Sequence, residues 1–339
     1  MLNSSLSSKI RLSFNKNGKF RILCVSDIHG GVGYDEEHTV SNLRALIDAE
    51  NPDFVLLLGD NAGPGLIHIS TPEELKQMLT GLTKPMTDKN IPWAHVFGNH
   101  DDNFGVDNTV AQKVYESFPL CLSKAGDENL PGCGNWVLPV YASDGDALRF
   151  TVWGLDSHRG NDKFYSTYSV PEKSIENFSF GENVDATNRG IDFAQVMWYA
   201  RTSEEIEKKY GKTPGIMVMH VPLYETGLIS TFGADKIFDG IDGFDTDIQG
   251  INSGLFRAAL ERGDIKAFCF GHNHRNSFGA EYCGIKLCYD GYMSMHACHS
   301  SDTLGGRVFE IDESNPFDVK TRLVLVRDVK KLEDGLYDF

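Results

Sequence analysis

Residues 20–30 read FRILCVSDIHG. An apolar run of aliphatic and β-branched side chains stops at Asp27, and a histidine follows two positions later. The run predicts a buried strand. Its exit, Asp27-Ile28-His29, sets a carboxylate and an imidazole where a strand hands over to a loop. Taken alone, that tripeptide favours a capped turn over a ligand pair. The choice depends on whether other strands end in the same way.

They do. DFVLLLGD (53–60) ends in Gly59-Asp60, and IPWAHVFGNHD (91–101) in Gly98-Asn99-His100-Asp101. GIMVMHVP (215–222) carries His220, and IKAFCFGHNH (265–274) ends in Gly271-His272-Asn273-His274. Between the first three runs, EEHTVSNLRALIDAE (36–50) and TPEELKQMLTGL (71–82) predict helices, the second with Thr71 as N-cap and Pro72 at its first position. NTVAQKVYESF (108–118) predicts another. This βαβαβ rhythm implies a parallel sheet covered by helices, in which ligands bind beyond the carboxyl ends of the strands. Asp27, His29, Asp60, Asn99, His220, His272 and His274 form an oxygen and nitrogen donor set. Such a set suits Mn, Fe or Zn, whereas all-oxygen Mg or Ca sites lack imidazole. It exceeds one tetrahedral site and, with a shared carboxylate, is enough for two ions.

The second half is less regular. NWVLPVYA (135–142) and ALRFTVWGLD (147–156) predict a hairpin across SDGD. DFAQVMWYARTSEEIEKKYG (192–211) predicts a helix closed by Gly211, and a short helix is expected from Ser253. EYCGIKLCYDG (281–291), GRVFEID (306–312) and VKTRLVLVRD (319–328) follow without intervening helices and are expected as antiparallel strands. Polar 157–190 and Gly/Asp-rich 224–250 are expected as loops walling a cleft. The stretch DGIDGFDTD (239–247) lacks EF-hand spacing and a terminal Glu, and reads as an acidic loop. Residues 1–339 are expected to form one domain built on two packed sheets.

The chain has a net charge of −16, which weighs against a long polynucleotide, because such binding needs Lys and Arg to neutralise phosphates. A small phosphate ester remains compatible once bound cations make its site locally positive. The 7 Cys show no CxxC spacing, which favours reduced thiols. No apolar run reaches the roughly 18 residues of a membrane span, and the first residues lack an apolar signal core, so a cytoplasmic protein without a membrane partner is expected. The oligomeric state is not legible.

The motifs together resemble the calcineurin-like metallophosphoesterase superfamily. Its pattern D-x-H, GD, GNH[D/E], H and GHxH stands here as DIH, GDN, GNHD, MHVP and GHNH, across residues 27–274. The resemblance implies an α/β, or α+β, four-layer sandwich of two mixed β-sheets flanked by helices. It implies a first metal held by Asp27, His29, Asp60 and His274, and a second by Asp60, Asn99, His220 and His272, with Asp60 bridging. GDNAGPG lacks the Arg of the phosphoprotein phosphatases, and Gly63 replaces the tyrosine ligand of the true purple acid phosphatases. The chain is more similar to the purple-acid-phosphatase-29-like and Dcr2-like branch.

The expected reaction is phosphate-ester hydrolysis by a metal-bridging hydroxide. His100 is the expected general acid and Asp101 the group that orients it. Asn99, Asn103, His158 and Arg275, with Arg159 beside them, are candidate substrate contacts. The alternatives are a cyclic-nucleotide phosphodiesterase or nuclease on the same centre, and a non-catalytic binding protein.

Overall fold

A computed structural model describes residues 10–31, 36–63, 69–102, 105–158, 190–245, 247–295 and 301–331. The first half runs β1 (Leu12–Ser13), β2 (Lys19–Val25), α1 (Glu36–Glu50), β3 (Phe54–Leu57), α2 (Pro72–Leu82), α3 (Lys84–Lys89), β4 (Trp93–His95), α4 (Asn108–Glu116), β5 (Trp136–Tyr141) and β6 (Leu148–Gly154). The second half runs α5 (Phe193–Tyr210), β7 (Gly215–Val218), α6 (Tyr224–Phe232), β8 (Ile237–Asp239), α7 (Leu255–Arg262), β9 (Ile265–Phe270), β10 (Gly279–Tyr282), β11 (Ile285–Tyr289), β12 (Gly305–Asp312), β13 (Lys320–Leu325) and α8 (Val326–Val329).

The strands form two mixed sheets. One has the order β13-β12-β2-β3-β4, the other β1-β5-β6-β7-β9-β11-β10-β8. The β2-β3-β4 unit is parallel, as its βαβαβ pattern requires. The period of two along β2 explains the layering. Ile22 and Cys24 face Val152, Val218 and Cys269 of the other sheet, while Leu23 and Val25 face Leu43, Leu46 and Leu79 of the helices. On the far side, Tyr199, Leu255 and Phe256 of α5 and α7 cover Trp153, Met217 and Phe268. The result is four layers: helices, sheet, sheet, helices.

Helix α2 starts as its sequence dictates. Thr71 accepts a hydrogen bond from the Glu74 N–H, and Glu74 reaches back to the Thr71 N–H, a reciprocal capping box with Pro72 at the first position. Gly211 closes α5. The six described cysteines are free thiols. No helix among the described residues is long and apolar enough to cross a membrane.

Two expectations need correction. The stretch 281–291 is not one strand: a turn at Cys283, with φ +51°, divides β10 from β11, and β11 pairs parallel with β9. Segment 224–250 is not simply a loop. It opens with α6, whose buried Thr226 and Ile229 anchor it, and it supplies the sheet-edge strand β8. Its glycines and aspartates concealed a helix of only nine residues. Within 157–190, residues 159–189 lie outside those described.

Candidate metal centre

Strands β2, β3 and β4 of one sheet and β7 and β9 of the other deliver their carboxyl ends to one edge of the sandwich. Two groups form there with ligand atoms mutually within 4.8 Å: Asp27, His29 and His274; and Asp60, His220 and His272. The His272-Asn273-His274 tripeptide is therefore divided, with His274 in one group and His272 in the other. Asn273, between them, is buried, and neither of its side-chain polar atoms is hydrogen-bonded to a described residue.

The local backbone is unusual. Asp27, His29, Asp60 and His272 all have positive φ, at 54°, 51°, 49° and 73°. Left-handed non-glycine residues carry a conformational cost and cluster at functional sites. The preceding glycines permit close approach. A Cβ at Gly98 would collide with the Asp60 carboxylate and backbone nitrogen, and one at Gly271 would lie 2.5 Å from Ser26 Oγ.

Two imidazoles have defined tautomers. His29 Nδ1 lies 2.5 Å from the Gly63 carbonyl, and His220 Nδ1 lies 2.7 Å from the Leu58 carbonyl. A carbonyl only accepts, so each Nδ1 donates, and in the neutral ring each Nε2 offers a lone pair. His29 Nε2 faces His274 Nε2 at 3.1 Å, while His220 Nε2 faces Asn99 Oδ1 at 3.1 Å and Asp60 Oδ2 at 3.2 Å. Asp27 Oδ1 lies 3.2 Å from His274 Nε2 and 3.8 Å from His220 Nε2. Asp60 Oδ2 also lies 4.0 Å from His29 Nε2, so one oxygen stands between the two groups.

Buried acceptors converging on acceptors require a cation or added protons. Burial opposes a proton on His220, yet Asp60 and Asp27 outweigh it and lift the ring to about 10. His274 is likewise raised by Asp27 against its burial. Burial would raise Asp60, but His220 and its neighbours hold it well below the ordinary carboxylate range. Cations would replace these protons, and the donor set fits them.

The other expected residues are placed as follows. The His100 N–H donates to Asp60 Oδ1 at 2.9 Å, and its half-buried ring lies 5.8 Å from that of His29. Asp101 does not sit behind His100 as an orienting base. Its Oδ2 accepts the N–H groups of Gly98 at 2.7 Å and Asp60 at 3.0 Å, and its Oδ1 accepts that of Ala62 at 2.9 Å. The carboxylate is thus committed to clamping the two loops that carry Asp60 and Asn99. His158 contacts the start of α5, with Nε2 at 3.2 Å from Gln195 Oε1 and 3.3 Å from Asp192 Oδ2. That side chain, expected as a substrate contact, rests on the start of α5. Arg275 is exposed next to His274. Asn103 and Arg159 lie outside the described residues.

Asp247 was invisible as a site residue in the sequence: its carboxylate lies 3.2 Å from His272 Nε2. So was Asp290, joined to Asp27 through Ser26. Both contacts are long-range in the chain and carry no spacing signal.

Comparison with known proteins agrees with this geometry. Over 315 residues the chain is 28% identical to a protein named probable inactive purple acid phosphatase 14 of Arabidopsis thaliana, covering 84% of this chain and 73% of that one. It is 24% identical to phosphatase DCR2 of Saccharomyces cerevisiae over 318 residues, 83% of this chain and 49% of that one. A dimetal phosphatase from Danio rerio shares the fold, with a TM-score of 0.52 at 12% identity over 86% of this chain and 91% of that one. The family model described as calcineurin-like phosphoesterase matches residues 20–276, and the chain belongs to that family.

Proposed function

We propose that this chain hydrolyses small phosphate esters at a two-metal centre. Asp27, His29, Asp60 and His274 would hold one ion, and Asp60, Asn99, His220 and His272 the other, with Asp60 shared. The observation that carries the reading is the pair of tautomers fixed by the Gly63 and Leu58 carbonyls, which aim two buried lone pairs at carboxylate, amide and imidazole acceptors. Bound divalent or trivalent ions (Mn, Fe or Zn) would supply an acidified water and offset charge on the phosphoryl oxygens.

The chain's own residues supply the rest. The His100 backbone is tied to Asp60 Oδ1, so its imidazole stays beside the shared carboxylate. Burial lowers its basicity and Asp60 partly restores it. A phosphate dianion beside the ring adds further negative charge, so His100 gains a proton as substrate binds and donates it to the leaving oxygen. Asn99, shared with the second ion position, and exposed Arg275 line the approach for the phosphate. Asp101 acts indirectly, by fixing the loops that present Asp60 and Asn99.

A metal-supplemented panel of p-nitrophenyl phosphate, bis-p-nitrophenyl phosphate and cyclic nucleotides tests the reading. Turnover of the monoester that disappears with chelation supports it. Turnover confined to cyclic nucleotides shifts the substrate class. No turnover of any of these with both ions bound defines a binding protein. His100→Ala should keep its metal and lose turnover of an alkyl phosphate by about 10²–10⁴-fold. Retained metal with unchanged turnover would remove His100 from the chemistry.

A further inference from the structure

Residues 241–245 are fastened to the residues that follow GHNH. Ser277 N donates to Ile241 O at 2.9 Å and Ile241 N to Ser277 Oγ at 3.1 Å. Asn276 accepts from Gly243 N at 3.0 Å and donates to Asp245 O at 2.7 Å. Beyond them, Asp247 lies against His272, with Oδ2 3.2 Å from Nε2. The His272 side chain is only 9% exposed, and its Nε2 is buried with no in-line hydrogen-bond partner among the described residues.

The backbone of His272 is held by its N–H, which donates to Asp27 Oδ2 at 2.9 Å. Its ring needs a separate restraint. In a neutral imidazole that coordinates through one nitrogen, the other carries the hydrogen and requires an acceptor. His29 and His220 meet this need with backbone carbonyls on Nδ1. Among the described residues, the acceptor that reaches the Nε2 of His272 is the Asp247 carboxylate.

We infer that Asp247 is a positioning residue for the second ion position: its carboxylate, 3.2 Å from Nε2 of His272, favours the tautomer that carries the hydrogen there and so leaves Nδ1 of that ring unprotonated for the metal. The inference rests on the two-metal reading above. A carboxylate partner makes the ring a stronger donor than a carbonyl partner does. It also makes the second position depend on Asp247, next to the clasped residues 241–245, whereas His29 and His220 lean on carbonyls at the strand exits. Asp247 is 37% exposed, so the two positions differ in how readily solvent and salt reach their supports.

The test uses the full chain stripped of metal and titrated with Mn²⁺ by calorimetry, with bound metal counted by mass spectrometry. Thermal unfolding serves as the folding control. Wild type should take up two equivalents. Asp247→Ala should weaken one of them by about 10–100-fold and leave the other unchanged. Asp247→Asn keeps a neutral acceptor and should recover part of that loss. Asp247→Ala with both equivalents at wild-type affinity overturns the inference, as does equal weakening of both. A wild type that binds no metal overturns the two-metal reading itself, and is seen before any variant is made.

Discussion

Asp290 reaches Asp27 through a single hydroxyl: Ser26 Oγ lies 2.5 Å from Asp27 Oδ2 and 2.8 Å from Asp290 Oδ1. A serine has one proton to give and two carboxylates face it. Asp27 faces the imidazoles, which favour its ionised form, so the second proton belongs to Asp290. Burial, and then Asp27, push Asp290 well above the carboxylate range, in agreement. A carboxyl that stays protonated in the fold binds a proton the unfolded chain releases. Its contribution is complete below the unfolded value, about 3.9, and is lost as pH rises towards the folded one. Asp290→Asn copies the neutral acid without that dependence. It should keep metal affinity, unfold no more readily at pH 7, and lose less stability on the alkaline side. Loss of metal binding in Asp290→Asn would show that an ionised Asp290 is required.

Asp101 clamps by accepting three backbone N–H groups with its two oxygens. An amide there would turn its NH₂ towards at least one of those donors. Leaving a buried group unsatisfied costs about 1–3 kcal/mol. Asp101→Asn should therefore lower the melting temperature and the metal occupancy together. Turnover per bound metal pair should stay near wild type, which separates loop clamping from a part in proton transfer. A fall in turnover at full occupancy would restore the role first expected from sequence.

His95 gives the fold an acid limit away from the centre. Its ring stacks on Tyr115 at 3.5 Å, accepts or donates to Ser123 Oγ at 2.6 Å, and is pushed down to about 3 by burial. The depressed value means the unfolded chain takes a proton near pH 6.5 that the folded chain refuses. Stability is present above that pH and falls as pH drops towards 3. The loss between pH 7.5 and 5 is about 2 kcal/mol from this group alone. His95→Phe keeps the stacking and removes the titration. Its urea midpoint should fall less than that of wild type over the same interval.

The legible parts of the molecule share a cause. Strands β2, β3, β4, β7 and β9 are short buried runs closed by polar exits, so both their existence and their chemistry stand in consecutive residues. Helix α2 carries its own cap, and six of the candidate ligands, which the structure gathers in two groups, could be picked out because each follows a strand. The illegible parts depend on contacts between distant residues. Asp101 looked like a partner for His100 by adjacency, yet the turn sends its carboxylate to Gly98, Asp60 and Ala62. His158 was expected to contact substrate, and its ring rests on Asp192 and Gln195, contacts that no spacing in the sequence announces. Helix α6 was hidden because tertiary burial of Thr226 and Ile229, rather than a strong helical pattern, holds it.

Gly98 offers the sharpest steric test of the site. A Cβ there would overlap both the Asp60 carboxylate and the Asp60 backbone nitrogen, neither of which can swing aside without breaking the Asp101 clamp. The collision falls on the shared carboxylate, one residue before Asn99. Gly98→Ala should therefore weaken both metal equivalents, unlike Asp247→Ala, and cost about 1–3 kcal/mol of stability. Gly145 at the β5–β6 hairpin is the control, because a Cβ there meets nothing within 4 Å. Gly145→Ala should leave metal binding and the unfolding midpoint unchanged. Equal behaviour of the two variants, by calorimetry and thermal melts, would show that the loops carrying Asp60 and Asn99 relax around added volume and that the close approach at Gly98 is not what sets the centre.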